Sequence, residues 1–193
     1  MDMRRLSFLV VFAIAIPAFA LTRSPHPGDR IAVLRMSDRY WFGAEQTVAR
    51  IVQNDLRREL RLLEFDAFDA RATYEDLSRQ GHSEADFVVE IVSGDAVHHP
   101  VAEAGVGGGG VAVDVAVVVS RVAAQVRLYD GRTLSEIGRY DLEKKNTAVL
   151  PTAIGLGGRS VWTFFAIPFV QYGQYRAAAH DIARQAAARI AGQ

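Results

Sequence analysis

The longest regular pattern of hydrophobic positions in the chain runs from Val111 to Asp130, directly after a glycine-rich run at residues 105–110. β-Branched residues dominate this stretch and no helical period interrupts it, which is typical of a central β-strand. Its valines occupy odd positions up to residue 119, whereas beyond Arg121 the apolar residues occupy even positions. Because successive residues alternate between the two faces of a strand, this change predicts a β-bulge or strand break near Ser120 and Arg121.

Shorter hydrophobic patterns predict the other elements. Alternating apolar residues indicate strands, and apolar residues that recur every three or four positions indicate helices. By these rules strands are predicted at residues 30–36, 62–68 and 85–97, and helices at residues 44–63, 69–80 and 173–191. Asp130 and Gly131 lie between two alternating runs and predict a hairpin, which joins residues 122–130 to an antiparallel strand at residues 134–144.

The order of these elements defines the expected fold class. It predicts an α/β (α+β) domain, with a mixed sheet of about five strands and helices mainly on one face. Residues 98–110 are predicted to form a long mobile connection, because a glycine run loses much entropy on ordering. These glycines lead into a strand rather than a helix and no lysine follows them, which argues against a phosphate-binding loop.

The first 20 residues have the pattern of a secretory signal peptide. Arg4 and Arg5 precede an apolar run, and the small residues Ala18 and Ala20 form a cleavage site. The apolar run is about a dozen residues long, short of the roughly 20 that a spanning helix needs, so an uncleaved membrane anchor is the weaker alternative. We therefore expect a signal peptide at 1–20, a linker at 21–29 and a single periplasmic domain at 30–193.

Composition narrows the classes of function. The chain has 193 residues and no cysteine, so disulfides and a lipidated cysteine are both excluded, and we expect a protein that is not a lipoprotein. It has 22 basic and 22 acidic residues, and this balance gives no general attraction to nucleic acid or anionic lipid. No nucleic-acid partner is expected, and no transmembrane helix is predicted after cleavage.

Two aromatic-rich segments supply the candidate contact residues. Tyr40, Trp41 and Phe42 are adjacent in a predicted loop, where they either bind a partner or cover the end of the core. The segment at 147–172 combines large apolar groups with almost no charge. Its candidate contact residues are Trp162, Phe164, Phe165 and Phe169. This segment either packs on the sheet or forms a docking surface for a partner, for another copy of the chain, or for lipid.

No catalytic pattern emerges from residue spacing. Of the five histidines only His98 and His99 are neighbours, and adjacent residues of a strand point to opposite faces and cannot easily share a metal. The chain has no Gly-x-Ser-x-Gly motif, and a cysteine nucleophile is excluded. We expect a protein that is not an enzyme and that needs no cofactor or metal.

The order of strands and helices resembles the periplasmic domain shared by CsgG-like curli-secretion proteins and LpoB-type activators of penicillin-binding proteins. The matching stretches are IAVL at 31–34, VARIVQNDLRREL at 48–60, ADFVVEIVSG at 85–94 and VRLYDGRTLSEI at 126–137, together with the glycine-rich run and the alanine-rich terminal helix. They cover most of the chain after the signal peptide. Members of both groups are typically lipoproteins, whereas this chain has no cysteine to lipidate.

The resemblance implies a cell-envelope assembly or accessory factor that acts through protein–protein contacts. Its expected partner is an envelope protein or a second copy of the chain. The alternative is an envelope carrier or transport accessory that binds lipid in an apolar groove lined by Trp162, Phe164, Phe165 and Phe169. Membrane contact stays open in both readings.

The signal peptide gives a first prediction. Chain exported to the periplasm is expected to begin at Leu21, because Ala18 and Ala20 present a small-residue cleavage site after a short apolar run. Intact-mass measurement of protein recovered from the periplasm checks this. Recovery of chain that still carries Met1 in the membrane fraction would contradict it.

Overall fold

The computed structural model describes residues 23–35, 44–108, 111–156, 159–162 and 167–192. Within these ranges it contains three helices and six strands. In chain order they are β1 (Arg30–Leu34), α1 (Ala44–Leu62), β2 (Asp66–Ala70), α2 (Tyr74–Gln80), β3 (Phe87–Gly108), β4 (Val111–Asp130), β5 (Glu136–Leu156), β6 (Arg159–Trp162) and α3 (Ile167–Ile190).

All six strands form one mixed sheet in the order β2-β1-β3-β4-β5-β6. β1 pairs in parallel with β2 and with β3, and the connections between these strands contain α1 and α2. β4, β5 and β6 are each antiparallel to the strand before them. The predicted mixed α+β fold is therefore confirmed, with six strands where about five were expected.

The main core lies between one face of the sheet and the helices α1 and α3. Even-numbered residues of β4, such as Val122 and Val126, point into it because alternate residues of a strand share a face. Helix α3 contributes mostly alanines, whose small side chains let the helix approach the sheet closely. Its core residues are Ala178, Ala179, Ile182, Ala183, Ala186, Ala187 and Ile190.

A smaller cluster on the opposite face lies under α2. Leu77 of this helix packs against Val88 and Tyr129 of the sheet. The helix begins at a capping box, in which the Asp76 backbone N–H donates to the Thr73 hydroxyl at 3.3 Å and the Thr73 N–H donates to the Asp76 carboxylate at 3.0 Å. It ends at Gly81, as predicted, where a φ of 82° favours glycine.

The hairpin between β4 and β5 confirms the prediction made from Asp130 and Gly131. The Asp130 carboxylate accepts hydrogen bonds from the backbone N–H groups of Arg132, at 3.0 Å, and Thr133, at 2.8 Å. β5 then returns antiparallel to β4, with Val122 opposite Lys144 and Leu128 opposite Gly138. A local hydrogen-bonding side chain and a glycine are thus sufficient to reverse the chain here.

The predicted bulge near Ser120 and Arg121 is wrong. Both residues pair in regular register with both neighbours: Ser120 lies opposite His98 and Asn146, and Arg121 lies opposite Val97 and Lys145. No extra residue is needed at this point of β4. The odd-numbered valines before Arg121 and the even-numbered apolar residues after it lie on opposite faces of one continuous strand.

The long connection predicted at 98–110 is also wrong for the residues that the structure describes. Strand β3 continues to Gly108, and its glycines pair with β4, with Gly105 opposite Asp114 and Gly108 opposite Val111. Pairing to a long neighbouring strand outweighs the low strand propensity of glycine. β5 likewise continues to Leu156, well beyond the predicted end at residue 144.

Helix α3 begins at Ile167, six residues earlier than predicted. Pro168 is then the second residue of the helix, where the backbone N–H that proline lacks would have no partner within the helix. Across the described ranges, no helix combines the length and the apolar character needed to cross a bilayer.

The described part of the predicted linker, from residue 23 onward, contacts the base of the sheet. The guanidinium of Arg23 lies over the ring of Phe87, 5.7 Å from its centroid, and forms ion pairs with Asp29 and Asp86. The Gly28 backbone N–H donates to the Glu64 carbonyl at 2.8 Å. The chain therefore enters the domain at the end of the sheet where β3 begins.

The packing of Gly131 gives a second prediction. A Cβ at this position would lie 1.9 Å from the Ala85 carbonyl oxygen, so Gly131→Ala is expected to destabilise the domain by roughly 3 kcal/mol. Gly173→Ala is the matched control, because a Cβ there meets nothing within 4 Å and alanine favours a helix by about 1 kcal/mol. Urea unfolding should lower the midpoint for the first variant and not for the second. Equal midpoints would contradict the packing.

Candidate functional site

The long strands β3, β4 and β5 extend beyond the helix-covered core. The Gln174 side chain of α3 hydrogen-bonds to the Ser120 hydroxyl, and its backbone carbonyl accepts from the Asn146 side chain at 3.1 Å. From Ser120, β4 continues nine residues to Val111, which is about 30 Å at roughly 3.3 Å per residue. We call residues 97–108, 111–120 and 146–156 the distal ribbon.

One face of the distal ribbon exposes valines. Val118 and Ser120 are buried on the face that carries α1 and α3, so Val115, Val117 and Val119 lie on the opposite face. Val149 pairs with Val117 and is 63% exposed, and Val97, opposite Arg121, is 38% exposed. These five side chains, Val97, Val115, Val117, Val119 and Val149, form the valine patch. Val97 and Val149 are exposed, and the three valines of β4 are half-buried. Grouped apolar side chains at a surface make this patch a candidate contact site.

Next to the valine patch, the same face is covered by paired charges. Arg121 donates to the Glu143 carboxylate at 2.6 Å, and the Lys145 ammonium lies 3.2 Å from the same carboxylate. The hydrogen bond from Arg121, with a further contribution from Lys145, lowers the pKa of Glu143. Gln125 donates to Asp141 at 2.8 Å. The apolar patch therefore ends at an ordered polar border.

A shallow depression of about 370 Å³ lies within this polar border. It forms because the small Ala123 side chain stands between Asp95 on β3 and Glu143 on β5. Arg121 and Asp141 also line it. Among the described residues no group of His, Asp and Glu side chains is arranged to hold a metal ion.

A half-buried acid lies further along the face, under α2. The Tyr129 hydroxyl donates to the Glu90 carboxylate at 2.8 Å, and the Tyr129 ring stacks on Tyr74 with centroids 4.5 Å apart. Burial raises the pKa of Glu90, although the hydrogen bond from Tyr129 and the charge of Arg127 oppose the shift. Burial and the bond to Glu90 also raise the pKa of Tyr129. Tyr129 thus links β4 to β3 through Glu90, and it joins the sheet to α2 through Tyr74.

The structure describes none of the predicted contact side chains. Tyr40, Trp41, Phe42, Phe164 and Phe165 lie outside the described residues. Trp162 pairs with Ala153 through its backbone in β6, and Phe169 lies in α3, but their side chains are likewise outside the description. Their predicted role in binding a partner or lipid therefore stays a prediction.

The valine patch was not among the residues selected from the sequence. The signal was present in the change from odd to even apolar positions at Arg121. A bulge would have kept both sets of residues on one face, whereas an uninterrupted strand places them on two. The sequence pattern alone does not distinguish these cases, because it does not show how far the helices cover the sheet.

Comparisons with known proteins identify similar folds only. No family model and no curated protein matches the chain. Among solved structures, a minor lipoprotein from Acinetobacter baumannii is 12% identical, covers 84% of this chain and 92% of its own, and gives a TM-score of 0.45. Lipoprotein B from Nitrosomonas europaea is 17% identical over 84% of each chain, with a TM-score of 0.44.

A further solved structure is the PelC dodecamer from Paraburkholderia phytofirmans. It is 13% identical, covers 84% of this chain and 90% of its own, and gives a TM-score of 0.37. The structural neighbours thus include bacterial lipoproteins. These structures do not show the more specific resemblance to CsgG-like and LpoB-type proteins. Likenesses at this level say nothing of what the chain binds.

The contact between Tyr129 and Glu90 gives a third prediction. Tyr129→Phe removes the hydroxyl that lowers the Glu90 pKa, so this pKa should rise further above its ordinary value of 4.5. Tyr140→Phe is the matched control, since it removes a tyrosine hydroxyl from the same sheet and Tyr140 is not among the groups that shift the Glu90 pKa. Carbon-13 NMR titration of the Glu90 carboxyl measures both variants. An unchanged pKa in Tyr129→Phe would contradict the contact.

The sign of the associated stability change follows from linkage. The raised pKa means that the folded chain binds this proton at a higher pH than the unfolded chain. The contribution of Glu90 to the free energy of unfolding is therefore largest below pH 4.5 and decreases as the pH rises through the folded-state pKa. The Tyr129→Phe substitution should extend this decrease to higher pH.

Proposed function

We propose that the chain is an exported, non-enzymatic accessory or assembly factor of the bacterial cell envelope that acts by binding another protein. The observation that carries this proposal is the valine patch on the distal ribbon. A domain with its own buried core under α1 and α3 also exposes Val97 and Val149 on the sheet beyond that core. The signal-peptide pattern of residues 1–20 supports export to the periplasm.

The arrangement of the face supports protein binding over catalysis. The valine patch is apolar, and the charged side chains beside it are engaged with one another, as between Arg121, Glu143 and Lys145. An apolar centre with a polar border is the usual anatomy of a protein–protein interface. Paired surface charges of this kind contribute little to stability, and their ordered positions favour one orientation of a partner.

A more specific version of this proposal is that the chain is a CsgG-like or LpoB-like protein. It is supported by the order of the elements and by stretches such as residues 85–94 and 126–137. The absence of cysteine supports a periplasmic protein that is not a lipoprotein. The lipid-carrier alternative rests on Trp162, Phe164, Phe165 and Phe169, with Tyr40, Trp41 and Phe42 as further contact residues, and it predicts co-purifying lipid.

A fourth prediction tests the valine patch. Val149→Asp places a charge in the patch, so capture of an envelope partner should fall by about tenfold or more, because burial of one valine is worth roughly 1.5–3 kcal/mol. Leu62→Asp is the matched control: Leu62 is 70% exposed at the end of α1, away from the patch. Quantitative pull-down from envelope extracts compares the two. An equal loss of partner capture in both variants, or no loss in either, would contradict the assignment of the valine patch as the contact surface.

The same pull-down tests the aromatic residues. Trp162→Ser together with Phe165→Ser is expected to weaken partner capture or self-association while leaving the fold intact, because aromatic side chains contribute strongly at interfaces. Mass spectrometry of bound lipid is measured alongside. Loss of lipid with unchanged protein capture would favour the lipid carrier, and unfolding of the double variant would assign both side chains to the core.

A further inference from the structure

The outer edge of β5 is open over most of its length. β4 pairs with β5 from Glu136 to Leu156, but on the other side β6 pairs only with residues 153–156. In the described part of the chain, residues 136–152 therefore have no strand on that side. An open edge presents unpaired N–H and C=O groups, and the group that fits them is another extended strand.

The regular part of this edge has defined ends. Register shifts against β4 occur between Gly138 and Glu136 and between Pro151 and Ala153. Residues 138–150 lie between these irregularities. They end directly before Pro151 in the sequence, and proline has no backbone N–H to donate. By comparison, the open edge of β3 is broken by shifts at Ile91/Ser93 and at Pro100/Ala102, and β2 has only 5 residues. β5 thus carries the longest regular open edge that the structure describes.

We propose that two copies of the chain associate by antiparallel pairing of residues 138–150 of β5. Lys144 stands at the middle of this stretch. A two-fold axis there places Lys144 opposite Lys144 of the second copy and Gly138 opposite Leu150, so the entire regular edge pairs with itself. Identical edges related by a two-fold axis form a closed dimer, and the two sheets become one.

The charges of β5 select this register. On the face opposite α3 the strand carries Arg139, Asp141, Glu143 and Lys145 in that order. With the axis at Lys144, Glu143 of each copy faces Lys145 of the other. In the same register Asp141 faces Thr147, and Arg139 faces Val149. Opposite charges at directly facing positions stabilise a strand pair.

Neighbouring registers that keep both helix layers on the same side are less favourable. An axis at residue 143 places Glu143 opposite Glu143, and an axis at residue 145 places Lys145 opposite Lys145. An axis at residue 142 places Asp141 opposite Glu143 and Arg139 opposite Lys145. Each of these three brings like charges together, which destabilises strand pairing. An axis at residue 146 brings no like charges together, but it also forms no facing ion pair. Charged residues on an edge also oppose addition of an unrelated apolar strand, so the pattern favours a second copy.

The Lys144 pair at the axis is neutralised from within each chain. Lys144 lies on the face covered by α3, and its ammonium is 2.9 Å from the Asp181 carboxylate. The hydrogen bond from Lys144 lowers the pKa of Asp181, which keeps that carboxylate charged. Two such ion pairs meet at the axis, so the facing lysines do not present two uncompensated charges.

Single cysteines test both the contact and its register, because the chain has no cysteine of its own. Facing residues in an antiparallel pair have Cβ atoms about 4.5–5.5 Å apart, close to the roughly 3.5–4.5 Å of a disulfide. Purified Lys144→Cys should form a disulfide-linked dimer under mild oxidation. A mixture of Asp141→Cys with Thr147→Cys should give the mixed dimer, while neither of these two variants should link to itself.

These two experiments complement each other. Facing pairs alternate between a close and a wide type along an antiparallel ladder, and the pairs at 144/144 and 141/147 are of opposite type. One of them therefore has the closer Cβ atoms. A disulfide at the 144/144 pair or at the 141/147 pair, without self-linking of Thr147→Cys, supports the register. Self-linking of Thr147→Cys equal to that of Lys144→Cys, or no cross-link in any sample, would overturn it.

Sedimentation gives a measurement that does not need cysteine. In the proposed dimer, Lys145→Glu replaces both facing pairs of Glu143 with Lys145 by two pairs of like charges. The dimer dissociation constant should therefore rise by about tenfold. Arg79→Glu makes the same charge change on α2, away from the edge, and should leave the constant unchanged. Equal effects of both variants, or a wild-type chain that is monomeric at every concentration, would reject the dimer. This test uses purified chain alone, so its failure is distinct from failure of the envelope pull-down.

Discussion

The pairing of β4 with both of its neighbours along its whole length is the constraint on which the rest of the structure depends. β4 pairs with β3 on one side and β5 on the other, and the extra residue at each register shift lies in the neighbouring strand rather than in β4. Each side chain of β4 is therefore committed to one of two faces. A slip by one residue would exchange the faces and expose Val122 and Val126 to water, so the buried half of the strand fixes the position of the exposed half. The orientation of the valine patch thus follows from the core.

The helices determine where this sheet becomes a surface. Helix α3 is bound to the sheet by the contacts of Gln174 with Ser120 and Asn146 and of Asp181 with Lys144. On the opposite face the small cluster around Leu77 and Tyr129 covers the sheet only near the start of β3 and the end of β4. Beyond it the face is first polar, around Arg121 and Glu143, and then apolar. Burial of the hydrophobic core and exposure of the valine patch are therefore two consequences of strands that are longer than the layers that cover them.

Sequence periodicity was sufficient for the presence of three helices, for the hairpin at Asp130 and Gly131, and for the mixed sheet, because each of these depends on local spacing or local turn chemistry. It did not give the helix starts: α2 begins at Tyr74 rather than at residue 69, because Asp69 and Ala70 pair with β1. It was insufficient where pairing partners decide the outcome. The glycines at 105–108 have low strand propensity, yet a long neighbouring strand holds them in the ladder. At Arg121 the apolar residues shift from odd to even positions because the strand turns its apolar side chains to the other face of the sheet. A bulge would give the same sequence pattern, so no local rule separates the two cases. The candidate site was missed for the same reason, since exposure of Val149 depends on what the helices leave uncovered.

The valine patch and the open edge both involve β5, but the patch uses a side chain of this strand and the edge uses its backbone. The valine patch uses a side chain, Val149, whose exposure results from its position on the uncovered face. The open edge uses backbone groups of residues 138–150, which point sideways within the plane of the sheet and leave the patch accessible. A partner on the face and a second chain at the edge therefore do not compete for the same atoms. Pairing at the edge would place two patches on one continuous sheet, and a partner that contacts both would bind more tightly through an increased effective concentration.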